Sequence, residues 1–218
     1  MQANDTIIRD SQSALEYDDQ ARKTNWFGPE VVFGLAYEFV KPGDSLLDLG
    51  IGSGLSSILF HQAGLKIYGM DGSCEILKVC AAKGFASGLV EHDLREVPLP
   101  CPSRAYDHVV AVAVLNSFKN LLALFEEVAR IIRPDGIFAF TVEEQKPGQG
   151  DRYAINRVDV SERPDETALM LYRHRKEQIA EWLHQYRFLL LKDLAFVAFS
   201  YPAENRDIYF KAYIVRKQ

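Results

Sequence analysis

Little in this sequence points to a fold held together by covalent or metal staples. It has three cysteines, Cys74, Cys80 and Cys101. An odd number without zinc-like spacing is the pattern of free thiols in a reducing compartment, and Cys74 and Cys80, six apart on one helical segment, read as buried thiols. Long apolar runs are missing too. VVAVAVL (109–115) and FLLLKDLAFVAF (188–199), the latter broken by Lys192 and Asp193, fall short of the roughly 18–20 residues a bilayer span requires. The first residues are polar and acidic, without the charged-then-apolar order of a signal peptide. The expectation is a soluble, cytoplasmic protein with no membrane partner. There are no repeats, low-complexity tracts or Gly/Ser linkers. Nor is there a basic excess: 25 Lys+Arg stand against 30 Asp+Glu, net −5, which argues against a nucleic-acid binder and against DNA as partner.

What the chain does have is an ordinary globular balance, 48% hydrophobic and 25% charged over 218 residues. A domain of this size buries about 70% of its unfolded surface and needs no staple. Its charge is uneven. Residues 1–144 carry 12 basic and 20 acidic side chains, residues 145–218 carry 13 and 10. The later basic residues are mostly interleaved with acids, as on a solvated surface; an anionic ligand there is the competing reading.

A rhythm runs through the middle of the chain: short apolar run, glycine turn, helix-period segment. SLLDLG (45–50) precedes GLSSILFHQAG, where Leu55, Ile58, Leu59 and Ala63 fall on one face. KIYGMD (66–71) precedes CEILKVCAAKG, GLVEHDL (88–94) is a third strand and YDHVVAVAVL (106–115) a fourth, fully buried one. In NLLALFEEVARIIRPDG, Leu121, Leu124, Phe125, Val128 and Ile132 share a face, and Pro134 and Gly136 end the helix before GIFAFTVE. Alternating strands and helices with buried strand runs predict a doubly wound α/β sheet of seven mostly parallel strands. FLLLKDLAFVAFSY and DIYFKAYIV predict an antiparallel hairpin at its C-terminal edge. One domain is expected: a helical cap over 1–42, a Rossmann-like cofactor-binding core over 43–144, a polar, irregular lid over 145–172, and a helix with the hairpin over 173–218. Ligands of open α/β sheets bind beyond the strands' carboxyl ends, where cap and lid are placed to cover them.

The stretch Asp48-Leu49-Gly50-Ile51-Gly52-Ser53-Gly54 is a glycine-rich strand-to-helix turn. Glycines let the backbone approach a ligand and aim helix N-terminal amides at it. The dinucleotide pattern G-x-G-x-x-G would need glycine at 55, where leucine stands. A carboxylate two residues before the loop is a poor neighbour for a pyrophosphate and a good one for a cation. Asp71 closes the second strand, 21 residues after Gly50, where an acidic side chain can accept ribose hydroxyls. Asp93 closes the third.

On these residues the chain resembles the class I S-adenosylmethionine-dependent methyltransferases of the small bacterial type. LLDLGIGSG is similar to their first motif, YGMDGS to their second-strand acidic motif and EHDLREVPLP to their third-strand motif. YDHVVAVAVLNSF with IIRPDGIFAFTVE is similar to their fourth and fifth. The likeness covers residues 43–144 clearly and the terminal hairpin loosely. It implies S-adenosylmethionine as cofactor, S-adenosylhomocysteine as product, and no metal. By position it implies that Asp48 and the backbone of Gly50 and Gly52 hold the methionine moiety, while Gly54 permits close helix packing. Asp71 takes the ribose hydroxyls, with Met70 or Gly72 beside the adenine. Asp93 takes the adenine amino group, the Leu94 backbone serves the ring, and Ala113 and Leu115 line the reactive side. Competing readings exist: a helix cap for Asp71, although Ser73 is available for that; a turn residue for Asp93; core for Met70.

The resemblance implies in-line methyl transfer to an oxygen or nitrogen of a small molecule, to which an enzyme contributes mainly proximity, alignment and exclusion of water. Tyr17, Asn116, Glu143, Glu144 and His174 are possible bases; no motif distinguishes one, so no catalytic residue is assigned. Tyr17, Trp26, Asn116, Arg173 and His174 are candidate acceptor contacts, Arg173 and His174 against the alternative of a solvated helix end. After the fourth strand stands Val114-Leu115-Asn116-Ser117, not the Asn- or Asp-Pro-Pro-aromatic tetrapeptide of amide and exocyclic-amine methylation, and no Pro-Cys pair ends that strand. Other readings are methylation of a protein or RNA, a non-catalytic cofactor-binding partner protein, and an NAD-dependent oxidoreductase, the last disfavoured by Leu55 and Asp48. The oligomeric state is left open.

Overall fold

The computed structural model describes residues 7–156, 168–201 and 206–218. In chain order its elements are α1 (Ser11–Lys23), α2 (Gly28–Ala36), β1 (Ser45–Leu49), α3 (Ser57–Gln62), β2 (Lys66–Asp71), α4 (Cys74–Ala82), β3 (Ala86–Glu91), β4 (His108–Ala111), α5 (Leu122–Ile131), β5 (Ile137–Val142), β6 (Arg152–Asn156), β7 (Ala168–Tyr172), α6 (Lys176–Gln185), β8 (Phe188–Tyr201) and β9 (Arg206–Lys217). Four of the five β1 residues and all of β4 and β5 are buried, because parallel strands covered on both faces must be apolar on both. Among the described residues the main sheet has seven strands in the order β3-β2-β1-β4-β5-β9-β8. The first five are parallel; β9 runs antiparallel to β5, and β8 to β9. This is the expected doubly wound sheet with an antiparallel hairpin at its edge.

Two cores lie on either face. Val32 and Ala36 of α2, Phe60 of α3 and Leu77 of α4 pack on Leu46, Ile67, Val110 and Ala139. On the other face Phe125 of α5 and Trp182 of α6 pack on Phe138 and Phe140, with Phe125 meeting all three rings at centroid distances of 5.3–5.6 Å. Each such fully buried side chain contributes about 1.5–3 kcal/mol.

Some expectations need correction. The fourth strand ends at Ala111 rather than Leu115: Ala113 turns left-handed at φ 59 and donates its N–H to Thr141 Oγ1 at 2.8 Å instead of continuing the ladder. The third strand ends at Glu91, since residues 93–95 fold into a turn closed by Asp93 and Arg95. In α3 the fully buried positions are Ser57 and Phe60, while Leu55, Ile58, Leu59 and Ala63 are only half-buried. Cys74 is exposed, at the first turn of α4; Cys80 is buried. The segment 145–172 is not irregular throughout: β6 and β7 pair antiparallel, Arg152 opposite Tyr172 and Asn156 opposite Ala168. The rest of the expected lid, 157–167, and the first six residues of the expected cap lie outside the described residues. No described helix is long and apolar enough to cross a membrane.

Candidate active site

The glycine turn after β1 is shaped by three left-handed residues, Gly50 (φ 73), Gly52 (φ 55) and Gly54 (φ 88). Gly50 donates to Met70 O at 2.7 Å, and a Cβ there would stand 2.6 Å from Val114 Cγ2, so the exit of β4 closes directly on the turn. Gly54 is as tight against Phe85. Gly52 instead turns its N–H to Asp71 Oδ2, at 2.9 Å.

Two carboxylates converge below this turn. Asp48 is 1% exposed and accepts from Ser57 Oγ at 2.6 Å. Burial, reinforced by the nearby Asp71 charge and opposed by the Ser57 bond, pushes its pKa up to about 7. Asp71 is likewise pushed up by burial, against the pull of N–H donors from Ser73 and Gly52. Ser73 is the N-cap of α4, accepting from the Ile76 N–H at 3.1 Å. With one donor on each Asp71 oxygen, about two of a carboxylate's four lone-pair sites remain for a ligand.

A strap from the N-terminus covers the turn. A Cβ on Gly72 would meet Ile7 at 2.8 Å, and Ser73 Oγ donates to Ile8 O. Ser53 Oγ donates to Asp18, which also pairs with Lys83 at 2.5 Å. The Tyr17 ring lies 4.0 Å from the Cβ position of Gly52. Burial, then the charges of Asp71, Asp18 and Asp48, push its hydroxyl up to about 12. Tyr17 thus lies over the turn beneath which the two carboxylates converge.

A second polar group stands beyond the ends of β4 and β5. Arg173 Nε donates to Glu143 Oε1 at 2.6 Å, Arg173 Nη1 to Gly150 O at 3.2 Å, and the guanidinium covers the Tyr153 ring at 4.1 Å. His174, 1% exposed, donates its backbone N–H to Glu143 O and meets Leu115 O through Nε2 at 3.3 Å. Burial holds its pKa below the usual imidazole value, so its ring is a neutral brace between the two strand ends. Asn116, in the short 3-10 turn after β4, is buried beside them. Among the described residues no group of three or more His, Cys, Asp or Glu is placed to hold a metal ion.

A family model for methyltransferase domains matches residues 47–140, the span that carries both the glycine turn and the end of β4. That match and the shared fold support a class I S-adenosylmethionine-dependent methyltransferase. Among similar proteins is the malonyl-[acyl-carrier protein] O-methyltransferase of Serratia marcescens, 29% identical over 145 residues, covering 64% of this chain and 55% of that protein. The chain spans about half the length of the curated relatives it matches. The fold is shared with a methyltransferase of Methanosarcina mazei (TM-score 0.70, 16% identity, 84% of this chain and 96% of that one). It is shared also with the magnesium protoporphyrin IX methyltransferase of Synechocystis with bound S-adenosylhomocysteine (TM-score 0.63, 18% identity, 98% and 90%).

The structure gathers Asp48, Gly50, Gly52, Asp71 and Gly72 at one end of the sheet, with Tyr17 across from Gly52. It gathers Asn116, Arg173 and His174 in the second group, beyond β4 and β5, and the last two face inward rather than forming a solvated helix end. Ala113 lies between the two, at the strand exit. Met70 and Leu115 are core side chains, 1% and 0% exposed, and Leu94 packs in the same cluster. Asp93 lies beside Gly72, but Arg95 already binds both its oxygens (2.6–2.9 Å) and holds it below the usual carboxylate range. Trp26 stacks on Phe199 at 4.6 Å, against β8 and β9. Glu144 turns toward Lys211, at 3.6 Å. Sequence reading left Glu143 as one base candidate among five; its signal is the β5 pleat, which puts it on one face with Ile137, Ala139 and Thr141.

Asp48 carries a prediction. A cation bound beside it would favour its ionised form, so a cofactor whose cationic end lay there would release a proton on binding below pH 7. Affinity for S-adenosylhomocysteine then falls as pH is lowered from 7 toward 5, by up to about tenfold per unit. Calorimetry across that range in buffers of differing ionisation enthalpy measures both; a flat profile contradicts it.

Proposed function

We propose that this chain transfers the methyl group of S-adenosylmethionine to an oxygen or nitrogen of a small molecule. The observation that carries the reading is the pair of converging carboxylates, buried Asp48 and half-buried Asp71, under a glycine turn whose Gly52 has no neighbour closer to its Cβ position than the Tyr17 ring at 4.0 Å. The residues fit this cofactor. Its ammonium and sulfonium charges suit a mouth lined by carboxylates, and it has no phosphate for them to repel. A nicotinamide dinucleotide would bring its pyrophosphate against Asp48 and Asp71, with Leu55 where a third glycine is needed.

Bound there, the cofactor supplies an activated methyl group on a sulfonium. The chain supplies the rest. Asp71 accepts the ribose hydroxyls on its remaining lone pairs, and the backbone at Gly50 and Gly52 lets the methionine end approach. Asp48 offsets the cofactor's positive charge. Tyr17 and the 7–18 strap exclude water, and the exit of β4 at Ala113–Asn116 presents the acceptor. Small-molecule acceptors are supported by relatives whose names specify such substrates, including the porphyrin enzyme.

The test is incubation with methyl-labelled S-adenosylmethionine and a cell extract split into metabolite, protein and RNA fractions. Label is expected in the metabolite fraction. Label confined to protein or RNA contradicts a small-molecule acceptor.

A further inference from the structure

The polar group beyond β4 and β5 is unequally satisfied. Glu143 and Asn116 are each only 7% exposed. Glu143 uses Oε1 for Arg173, but its Oε2 has no hydrogen-bond partner, and neither has Asn116 Oδ1. A buried acceptor atom left unmade is costly. Two in one place mark a position built for something that donates hydrogen bonds. The two residues are brought to one end of the sheet through His174, which ties the Glu143 backbone to Leu115, the residue before Asn116. The 3-10 turn carrying Asn116 packs against both β5 and β7. The Arg173 charge is met by the Glu143 carboxylate. Its Nε is taken by Glu143, its Nη1 by Gly150 O, and its face by Tyr153.

We infer that Glu143 and Asn116 form the acceptor subsite, that it takes a neutral or cationic molecule presenting hydroxyl or amine donors rather than a carboxylate, and that Glu143 Oε2 receives the nucleophile's proton. This rests on the methyltransferase reading above. In the step, the acceptor's O–H or N–H bond breaks and its proton goes to Glu143 Oε2. The freed pair forms the bond to the methyl carbon while the carbon–sulfur bond breaks and its pair returns to sulfur. Glu143 then loses the proton to water. Arg173, fixed by three contacts, holds the carboxylate so that Oε2 and not Oε1 faces the acceptor. A carboxylate nucleophile needs no base, and it would face the like charge of the Glu143 carboxylate.

The experiment is calorimetric titration of the protein saturated with S-adenosylhomocysteine, using catechol, benzylamine and benzoate as probes. Saturation itself reports on the cofactor reading: if S-adenosylhomocysteine does not bind, that reading fails; if it binds, the probe results judge the subsite alone. Catechol or benzylamine is expected to bind at least tenfold more tightly than benzoate. Glu143→Gln and Asn116→Ala are each expected to weaken that binding about tenfold. Asn116→Ala leaves the Glu143–Arg173 pair intact, so it remains informative if Glu143→Gln does not fold. Benzoate binding as tightly as the others, no binding of catechol or benzylamine, or unchanged affinities in the folded variants each overturn the inference. A second arm uses the labelled metabolite product. Ethers and N-methyl groups survive mild alkali, whereas methyl esters release volatile methanol; alkali-labile label overturns it too.

Discussion

Asp71→Ala is expected to raise the Kd for S-adenosylhomocysteine about a hundredfold. Hydrogen bonds from ribose hydroxyls to a carboxylate contribute about 1.5–3 kcal/mol each, and losing two costs about 3 kcal/mol after partial replacement by water. The ligand-free protein should tolerate the change. Asp71 is held partly buried at a cost that raises its pKa, so its removal relieves desolvation while losing the bonds from Gly52 and Ser73. Asp93→Ala is the comparison. Because Arg95 already occupies both Asp93 oxygens, the loss there should be less than about tenfold, in the range of a single modest hydrogen bond. Calorimetry on both variants decides the matter. Equal effects would show that the ribose assignment is misplaced.

Gly50→Ala is expected to be strongly destabilising for the addition of a single methyl group. Its φ of 73 costs an alanine about 1–2 kcal/mol. The new Cβ would also stand 2.6 Å from Val114 Cγ2 and 2.8 Å from Val114 Cβ, and overpacking of that kind adds about 1–3 kcal/mol. Together these lower the melting temperature by roughly 4–20 °C for a chain of this length. The double variant Gly50→Ala with Val114→Ala should recover the packing part and not the backbone part. Gly52→Ala separates the causes differently. Its nearest neighbour is the Tyr17 ring at 4.0 Å, so stability should fall by only the strain, about 1–2 kcal/mol, while ligand affinity falls through the lost approach. Thermal unfolding of the variants measures each; a harmless Gly50→Ala would contradict the close packing of β4 on the turn.

The regular parts of this fold are legible in the sequence because local and global demands agree there. β1, β2 and β5 are short apolar runs bounded by glycines, and all five apolar positions expected to share the α5 face are buried. The glycine turn and the two carboxylates are legible for the same reason: spacing along one strand–turn–helix unit fixes them. What escapes is set by distant partners. An alanine does not announce a left-handed turn; Ala113 takes one because Thr141 Oγ1 and the packing of Val114 on Gly50 hold the β4 exit there. Asp93 looks available until Arg95 folds back on it. His174 stands in the run YRHRK, which reads as solvent-facing, yet it is buried by the parallel bridge between Glu144 and His174. The pairing of Glu143 with Arg173 spans 30 residues, and because β5 is buried on both faces its pleat puts Glu143 and Glu144 on opposite sides without saying which turns to the site.

The most direct measurement is thermal unfolding of the wild-type protein with S-adenosylmethionine, S-adenosylhomocysteine or NAD, each at about 100 times its Kd or, for a ligand that does not bind, at the highest concentration used for the others. Saturation at that level adds about 2.7 kcal/mol, a rise of roughly 5–11 °C for this size. Both adenosyl ligands should produce the rise and NAD should not. A rise with NAD alone, or none with either adenosyl ligand, would contradict the assignment of the Asp48–Asp71 mouth to a sulfonium cofactor.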